Sequence, residues 1–203
     1  MRTKLLCLLL LTLFALPAAA QKSKASALLD RAAGKIRDSR GVTMGFSLVQ
    51  IDDEIVGTLD LQGNQFRLQL PDMTIGYDGK TQWTLMESVQ EVSLSEPNAE
   101  ELAQTTPIVL LQSYKEAFDC EFAGKKGDIT TVVLRPKNES EIKEAQIMVN
   151  DKRDEIVRLT LHQNDGNMIE IMLSAYETNK NFPAEHFVFD KEKYPEVEII
   201  DLR

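Results

Sequence analysis

Apolar and polar residues alternate with a period of two along most of the chain. In the first such segment, Val42, Met44, Phe46 and Leu48 share one face of a strand, and the residues between them are small or polar. The alternation recurs in residues 55–62, 65–70, 73–77, 83–85, 89–94, 120–123, 129–134, 145–149, 156–162 and 168–176, and an extended stretch covers 187–202. Short turns, the first at Asp52-Asp53, separate the segments. The pattern predicts an antiparallel meander of about ten to eleven strands with one apolar face.

A helical spacing replaces this alternation in residues 26–40. Leu28, Ala32 and Ile36 recur every four residues, with further apolar positions beside them, and Gly41 suits the end of a helix. These positions predict an amphipathic helix ahead of the first strand.

A second helix is predicted in residues 107–117. Thr106 is a good N-cap, and Pro107 is favoured at the first helical position. The apolar stripe of this helix includes Ile108, Leu111 and Phe118.

Two short helices must therefore cover the apolar face of a long sheet. A flat sheet would leave most of that face in water, so we expect the sheet to curl. The sequence predicts an α+β protein, an open and incomplete antiparallel β-barrel wrapped around a helical lid or plug. Composition does not decide whether the interior is a packed core or a hollow cavity. Residues 21–203 contain no repeat or linker and suit a single domain.

The first twenty residues have the pattern of a secretory signal peptide. Arg2 and Lys4 precede an apolar run over residues 5–16, which is shorter than the roughly 20 residues that span a bilayer. Cleavage after Ala20 would leave Gln21 at the N-terminus, where a lipid anchor would need Cys. We therefore expect a soluble periplasmic protein without a lipid anchor.

The chain is acidic, with a net charge of −9, and loss of Arg2 and Lys4 with the signal peptide makes the charge more negative. Such a surface repels nucleic acid phosphates, and no run of Lys and Arg offsets the repulsion. We expect no nucleic acid partner.

Groups that could carry chemistry are sparse. His162 and His186 lack the spacing of metal ligands, and no G-x-S-x-G or H-E-x-x-H motif occurs. Cys7 lies in the signal peptide, so the mature chain retains Cys120 alone and forms no internal disulfide. We expect no enzyme activity, no metal and no cofactor.

The hairpin around Asp78-Gly79 is the most informative segment. Gly79 provides the positive φ that tight turns need. Ile75 before the turn is expected to share one face with Trp83 and Leu85 after it. The D-G-K-x-x-W pattern, followed by V-Q-E-V-S, resembles the LolA-like family of periplasmic outer-membrane lipoprotein carriers. The similarity extends to the N-terminal helix, to residues 46–50 and to the ending over 187–202.

The resemblance implies an open β-barrel with a helical lid over an apolar cavity. Such proteins accept acylated lipoproteins from an inner-membrane lipoprotein-releasing transporter and carry them to the outer membrane, where the acceptor for this chain is unknown. It also favours a monomer. The expected cavity wall consists of Met44, Phe46, Leu48, Leu59, Phe66, Leu68, Ile75, Trp83 and Leu85, and the expected lid residues are Ile108, Leu111, Tyr114 and Phe118.

One position departs from the family pattern. A basic residue that helps to hold the lid closed normally precedes the Phe of the third strand, and here Gln62 or Gly63 stands at that place. Arg67 is close but should face away from Phe66 in a regular strand. Alternative interpretations are a domain that senses lipids or lipoproteins, and a lipid-binding module unrelated to lipoproteins.

Overall fold

The computed structural model describes residues 15–49, 54–98, 101, 102, 105, 106, 108 and 110–203. Two α-helices and twelve strands lie within these ranges. The helices are α1 (Ala15–Arg37) and α2 (Leu110–Ala117). The strands are β1 (Val42–Val49), β2 (Glu54–Gln62), β3 (Gln65–Gln69), β4 (Met73–Tyr77), β5 (Gln82–Met86), β6 (Glu91–Ser95), β7 (Phe118–Lys126), β8 (Ile129–Pro136), β9 (Ile142–Asn150), β10 (Glu155–Gln163), β11 (Met168–Thr178) and β12 (Glu198–Asp201).

All twelve strands belong to one sheet, in the order β12-β6-β5-β4-β3-β2-β1-β11-β10-β9-β8-β7. Neighbours are antiparallel except for the parallel pair β12–β6. The order joins two meanders, β1–β6 and β7–β11, through the pairing of β1 with β11. Because β12 and β7 remain as edges, the sheet is open, which confirms the predicted incomplete barrel.

Register shifts bend the second meander. An extra residue interrupts pairing between Phe122 and Gly124 in β7 and between Ile156 and Arg158 in β10. In β11 the shift falls at Ala175, which has a φ of 50°. Such bulges bend a strand and increase its twist. They therefore help the sheet to curl around the helices.

The face of the sheet that carries Phe46 is called the inner face, and it packs against α1. Ala25, Leu28, Leu29 and Ala32 of that helix are all buried, as the four-residue spacing predicts. At its outer surface, α1 is tied to the β9–β10 turn by ion pairs such as Lys35–Glu155 (2.7 Å).

The first helix differs from the prediction at both ends, since α1 covers Ala15–Arg37 and the predicted helix covers 26–40. α1 ends at Arg37, and Gly41 instead allows the Phe182 ring to approach, since a Cβ at Gly41 would lie 2.9 Å from that ring. Residues 1–14 of the expected signal peptide, the Asp52-Asp53 turn and Pro107 lie outside the described residues.

The prediction that Ile75, Trp83 and Leu85 share one face of the β4–β5 hairpin is wrong. Trp83 pairs with Gly76, and Ile75 pairs with Thr84. Directly paired residues point to the same side of a sheet. Four residues, 78–81, separate the two strands. Because this number is even, the odd-numbered residues of β4 share a face with the even-numbered residues of β5. Trp83 and Leu85 therefore lie on the opposite, outer face.

The C-terminal segment covers this outer face and forms a second core there. Trp83, Leu85 and Val92 are buried, and they pack against Leu94, Phe189, Tyr194, Val197 and Ile199. The Trp83 indole Nε1 donates to the Phe187 carbonyl oxygen at 2.8 Å, and the Phe187 side chain is fully buried. The sheet is therefore apolar on both sides near β5.

We expect Gly76→Ala to destabilise the protein by about 1–3 kcal/mol. A Cβ at Gly76 would lie 2.2 Å from the Trp83 ring and would push the indole out of the second core. Urea denaturation provides the measurement. The control is Gly34→Ala, because a Cβ there would meet only the flexible ends of the Asp38 and Arg37 side chains, the nearer at 3.3 Å, and alanine favours a helix. Equal stability of Gly76→Ala and the parent would contradict the tight packing of Trp83 on Gly76.

Candidate functional site

An apolar cavity of about 310 Å³ lies on the inner face of the sheet. Its volume falls within the range of roughly 300–1,000 Å³ typical of small-molecule sites. It is lined by Phe46, Leu48, Leu59, Leu68, Leu70, Met73, Ile75, Thr105, Thr106, Ile108, Leu111, Ile147, Ile156, Leu159, Ile169, Ile171 and Leu173. Among these described residues, all but the two threonines are apolar.

Cross-strand pairing brings the two meanders together in the cavity wall. Leu48 of β1 pairs with Ile171 of β11 on one side and with Ile55 of β2 on the other. Leu59 pairs with Leu68, which in turn pairs with Ile75. Paired residues share a face, so one apolar surface runs across four adjacent strands and continues onto β11.

A glycine shapes this wall beneath Phe46. Gly57 pairs with Phe46, and a Cβ there would lie 2.5 Å from the ring and 2.3 Å from the Gln69 carbonyl oxygen. Without a Cβ, Gly57 lets the ring lie against the backbone of β2.

The roof of the cavity is formed by the described residues Thr105, Thr106, Ile108 and Leu111. Ile108 and Leu111 are buried and line both the main cavity and a small space beside α1. The roof therefore separates the cavity from the part of the inner face that α1 packs against.

The C-terminal half of α2 is anchored to α1 by polar contacts. The Tyr114 hydroxyl donates to Asp30 Oδ1 at 2.9 Å and lies 3.1 Å from Ser26 Oγ. Lys115 forms an ion pair with the same Asp30 at 2.8 Å. Burial raises the pKa of the Tyr114 phenol above its usual value, so the hydroxyl keeps the proton that it donates.

Five of the nine predicted wall residues line the cavity: Phe46, Leu48, Leu59, Leu68 and Ile75. Met44 and Phe66 lie on the same inner face but are packed in the core, with 0% and 1% exposure. Phe66 contacts the Tyr77 ring at a centroid distance of 5.6 Å. Trp83 and Leu85 lie in the second core on the outer face, because of the hairpin register.

The four predicted lid residues divide into two groups. Ile108 and Leu111 line the cavity. Tyr114 is the anchor to α1, and Phe118 is the buried first residue of β7, so neither is part of the lining.

The prediction missed the wall that β9, β10 and β11 supply. Residues Ile147, Ile156, Leu159, Ile169, Ile171 and Leu173 belong to it. Alternation within 168–176 marked Ile169, Ile171 and Leu173 as one face, but the pairing of β1 with β11 that brings them beside Phe46 is not visible in a single sequence.

Gln62, which with Gly63 stands where the sequence pattern would have a basic residue, contacts the C-terminal segment. Its amide Nε2 donates to the Phe182 carbonyl oxygen at 3.4 Å, and its Oε1 accepts from the Phe182 backbone N–H at 3.1 Å. Arg67 faces away from Phe66, as predicted, and its guanidinium lies 5.7 Å from the Trp83 ring centroid. Both side chains therefore support the outer face rather than the roof.

The described part of the chain contains no group of His, Cys, Asp or Glu side chains arranged to hold a metal ion. Within the same ranges, no helix combines the length and the apolar character that crossing a membrane would require.

Comparison with protein families places the chain in a known group. Residues 50–190 match the family model described as outer membrane lipoprotein carrier protein LolA. The match covers more than half of the chain, so the protein belongs to the LolA family. This is a family of carriers, which bind and release a cargo. A search of curated protein sequences gave no significant match.

Solved structures resemble this chain at low sequence identity. An uncharacterized conserved protein from Thermus thermophilus gives a TM-score of 0.61 at 11% identity, with 88% of this chain and 99% of that chain covered. A LolA superfamily protein from Nitrosomonas europaea gives a TM-score of 0.47 at 13% identity, with 82% and 98% covered. The first of these likenesses shows a shared architecture.

Glutamate substitutions should distinguish the cavity wall from the packed core. We expect Phe66→Glu to cost at least about 4 kcal/mol, because it removes a buried ring and places an unpaired charge in the core. Leu68→Glu should cost less than about 2 kcal/mol, since water in the cavity can solvate the carboxylate. Urea denaturation of both variants is the measurement. Equal destabilisation would show that Leu68 is packed as tightly as Phe66.

Proposed function

We propose that this protein is a soluble periplasmic carrier that binds the acyl chains of lipoproteins and takes them from the inner to the outer membrane. The observation that carries the proposal is the apolar cavity between the sheet and the roof segment, in a chain of the LolA family. The lining is suited to hydrocarbon and offers no set of groups for catalysis among its described residues.

Burial of hydrocarbon explains why a carrier is needed. Each methylene that leaves water contributes ~0.8 kcal/mol, so a free acyl chain in water costs on the order of 10 kcal/mol. The side chains of Leu59, Leu159 and Ile171 can replace water around such a chain without directional bonds. Because apolar contacts tolerate different chain positions, one cavity can accept the chains of many lipoproteins.

Release requires that the roof moves. The contacts of Tyr114 and Lys115 with Asp30 hold one end of α2 on α1, whereas Ile108 and Leu111 contact the cavity by apolar surfaces. The anchored end serves as a pivot, and the roof residues Thr105, Thr106, Ile108 and Leu111 swing away from the wall. In this cycle, an inner-membrane lipoprotein-releasing transporter loads the open cavity and an outer-membrane acceptor empties it.

Export through the signal peptide of residues 1–20 would place the carrier between these two membranes. In this proposal the carrier is a monomer, and Gln21 rather than a lipid-modified Cys follows the cleavage site.

A competition experiment tests the cargo. The protein, purified without its signal peptide, should bind a fluorescent naphthalene-sulfonate probe, and a lipidated lipoprotein should displace the probe. The same lipoprotein with its acylated Cys replaced should displace at least about tenfold less, because it lacks the hydrocarbon that the cavity buries. Leu68→Glu, which puts a charge in the cavity, should abolish probe binding, whereas Gly34→Ala should leave it unchanged. Equal displacement by the lipidated and unlipidated forms would refute acyl recognition.

Hydrogen exchange tests the moving roof. We expect Tyr114→Phe to speed amide exchange in α2 about tenfold, because the contacts with Asp30 and Ser26 are lost and each hydrogen bond contributes roughly 1 kcal/mol. Exchange in β2 should stay the same.

The control is Tyr176→Phe, which removes a hydrogen bond to the Ile156 carbonyl oxygen in the sheet. It should leave exchange in α2 unchanged. If the amides of Ile108 and Leu111 in the unsubstituted protein exchange as slowly as those of β2 without cargo, the roof is fixed and the moving roof is ruled out.

A further inference from the structure

Two polar side chains line the otherwise apolar cavity, and they differ in their bonding. The Thr105 hydroxyl donates to the Glu101 carbonyl oxygen at 3.2 Å, so its proton is already used within the roof segment. Thr106 is 3% exposed, and its Oγ1 has no hydrogen-bond partner within the described ranges of the chain. The cavity therefore contains one buried hydroxyl that the described fold leaves unsatisfied.

The Thr106 hydroxyl makes no hydrogen bond to the described backbone around it. The Thr106 N–H donates to the Leu102 carbonyl oxygen at 2.9 Å, but its Oγ1 has no partner among the described residues, so Thr106 does not make the side-chain hydrogen bond of the predicted N-cap. Valine has nearly the same shape and would avoid the cost of burying an unpaired polar group. A water molecule is also a poor partner, because a buried water needs two to four polar neighbours and Thr105 is the one other polar side chain in the described lining.

We propose that Thr106 is a ligand subsite, and that its hydroxyl donates a hydrogen bond to the carbonyl oxygen of an acyl chain held in the cavity. This inference rests on the proposed function and narrows it. The preferred ligand is a chain joined through an ester or amide, rather than hydrocarbon alone.

The position of Thr106 fits this role. It lies in the roof segment two residues before Ile108, and both side chains line the cavity. A carbonyl bonded to Thr106 would leave the attached hydrocarbon to contact the apolar walls formed by residues such as Leu159 and Ile171. The hydrogen bond forms only when an acyl chain is present, and it also relieves the unpaired hydroxyl. A polar group in an otherwise apolar cavity of this kind fixes the orientation of the ligand.

The test uses two ligands that differ in the carbonyl group. Methyl dodecanoate is an ester, and dodecyl methyl ether has the same chain of heavy atoms without the carbonyl oxygen. Each is titrated against the fluorescent naphthalene-sulfonate probe, and the ratio of ester affinity to ether affinity is measured. We expect Thr106→Val to lower this ratio about tenfold, as loss of one buried hydrogen bond predicts. Thr106→Ser, which keeps the hydroxyl, should retain most of the ratio.

Stability of the ligand-free protein supplies a second readout. If the hydroxyl serves the ligand rather than the fold, Thr106→Val should melt at the same temperature as the parent protein or higher. If Thr106→Val folds poorly, Thr106→Ala should still show the lower ester preference in its folded fraction.

The outcomes separate the two proposals. The subsite is overturned if the ratio of ester affinity to ether affinity is the same in the parent protein and in the folded Thr106→Val or Thr106→Ala variant. In that case, binding of both ligands leaves the carrier proposal intact. Failure of the parent protein to bind the probe or either ligand overturns both.

Discussion

The pairing of β1 with β11 is the constraint on which the rest of the structure depends. The other antiparallel pairs join strands that follow one another in sequence, whereas this pair joins the two meanders. It places Phe46 opposite Leu173 and Leu48 opposite Ile171, so the two halves of the cavity wall meet there. The shift at Ala175 lets both ends of β11 keep their apolar residues on the inner face. Because such long-range pairing is entropically costly to form, the apolar contacts made across it must offset that cost.

One alternating pattern produces both a packed core and a cavity on the inner face. Where α1 lies on the sheet, Leu28, Leu29 and Met44 belong to one core cluster, and all three residues are buried. Where α1 does not reach, the shorter roof segment spans the same kind of surface and leaves space beneath it. The part of the inner face under α1 is therefore packed core, and the part under the roof is the cavity wall.

The alternation of side chains was sufficient to predict the open sheet, its apolar inner face and the helix α1. It predicted that Phe46, Leu48, Leu59, Leu68 and Ile75 share the inner face, and these five residues line the cavity. It failed for Trp83 because the number of residues in a turn, and not alternation along the chain, decides which positions of two strands share a face. It missed Ile171 and Leu173 as cavity residues because long-range pairing depends on tertiary contacts. Phe66 and Leu68 have the same pattern, and only packing distinguishes core from cavity.

The location of Trp83 has a practical consequence for spectroscopy. It is the single tryptophan of the chain, and it lies on the outer face, bonded to the backbone of Phe187 and packed against Phe189. The sheet separates its indole from the cavity. The fluorescence of Trp83 will therefore change when the C-terminal segment leaves the outer face. It will change little when a ligand enters the cavity. The fluorescence of Trp83 thus measures the folding of the second core without interference from bound ligand.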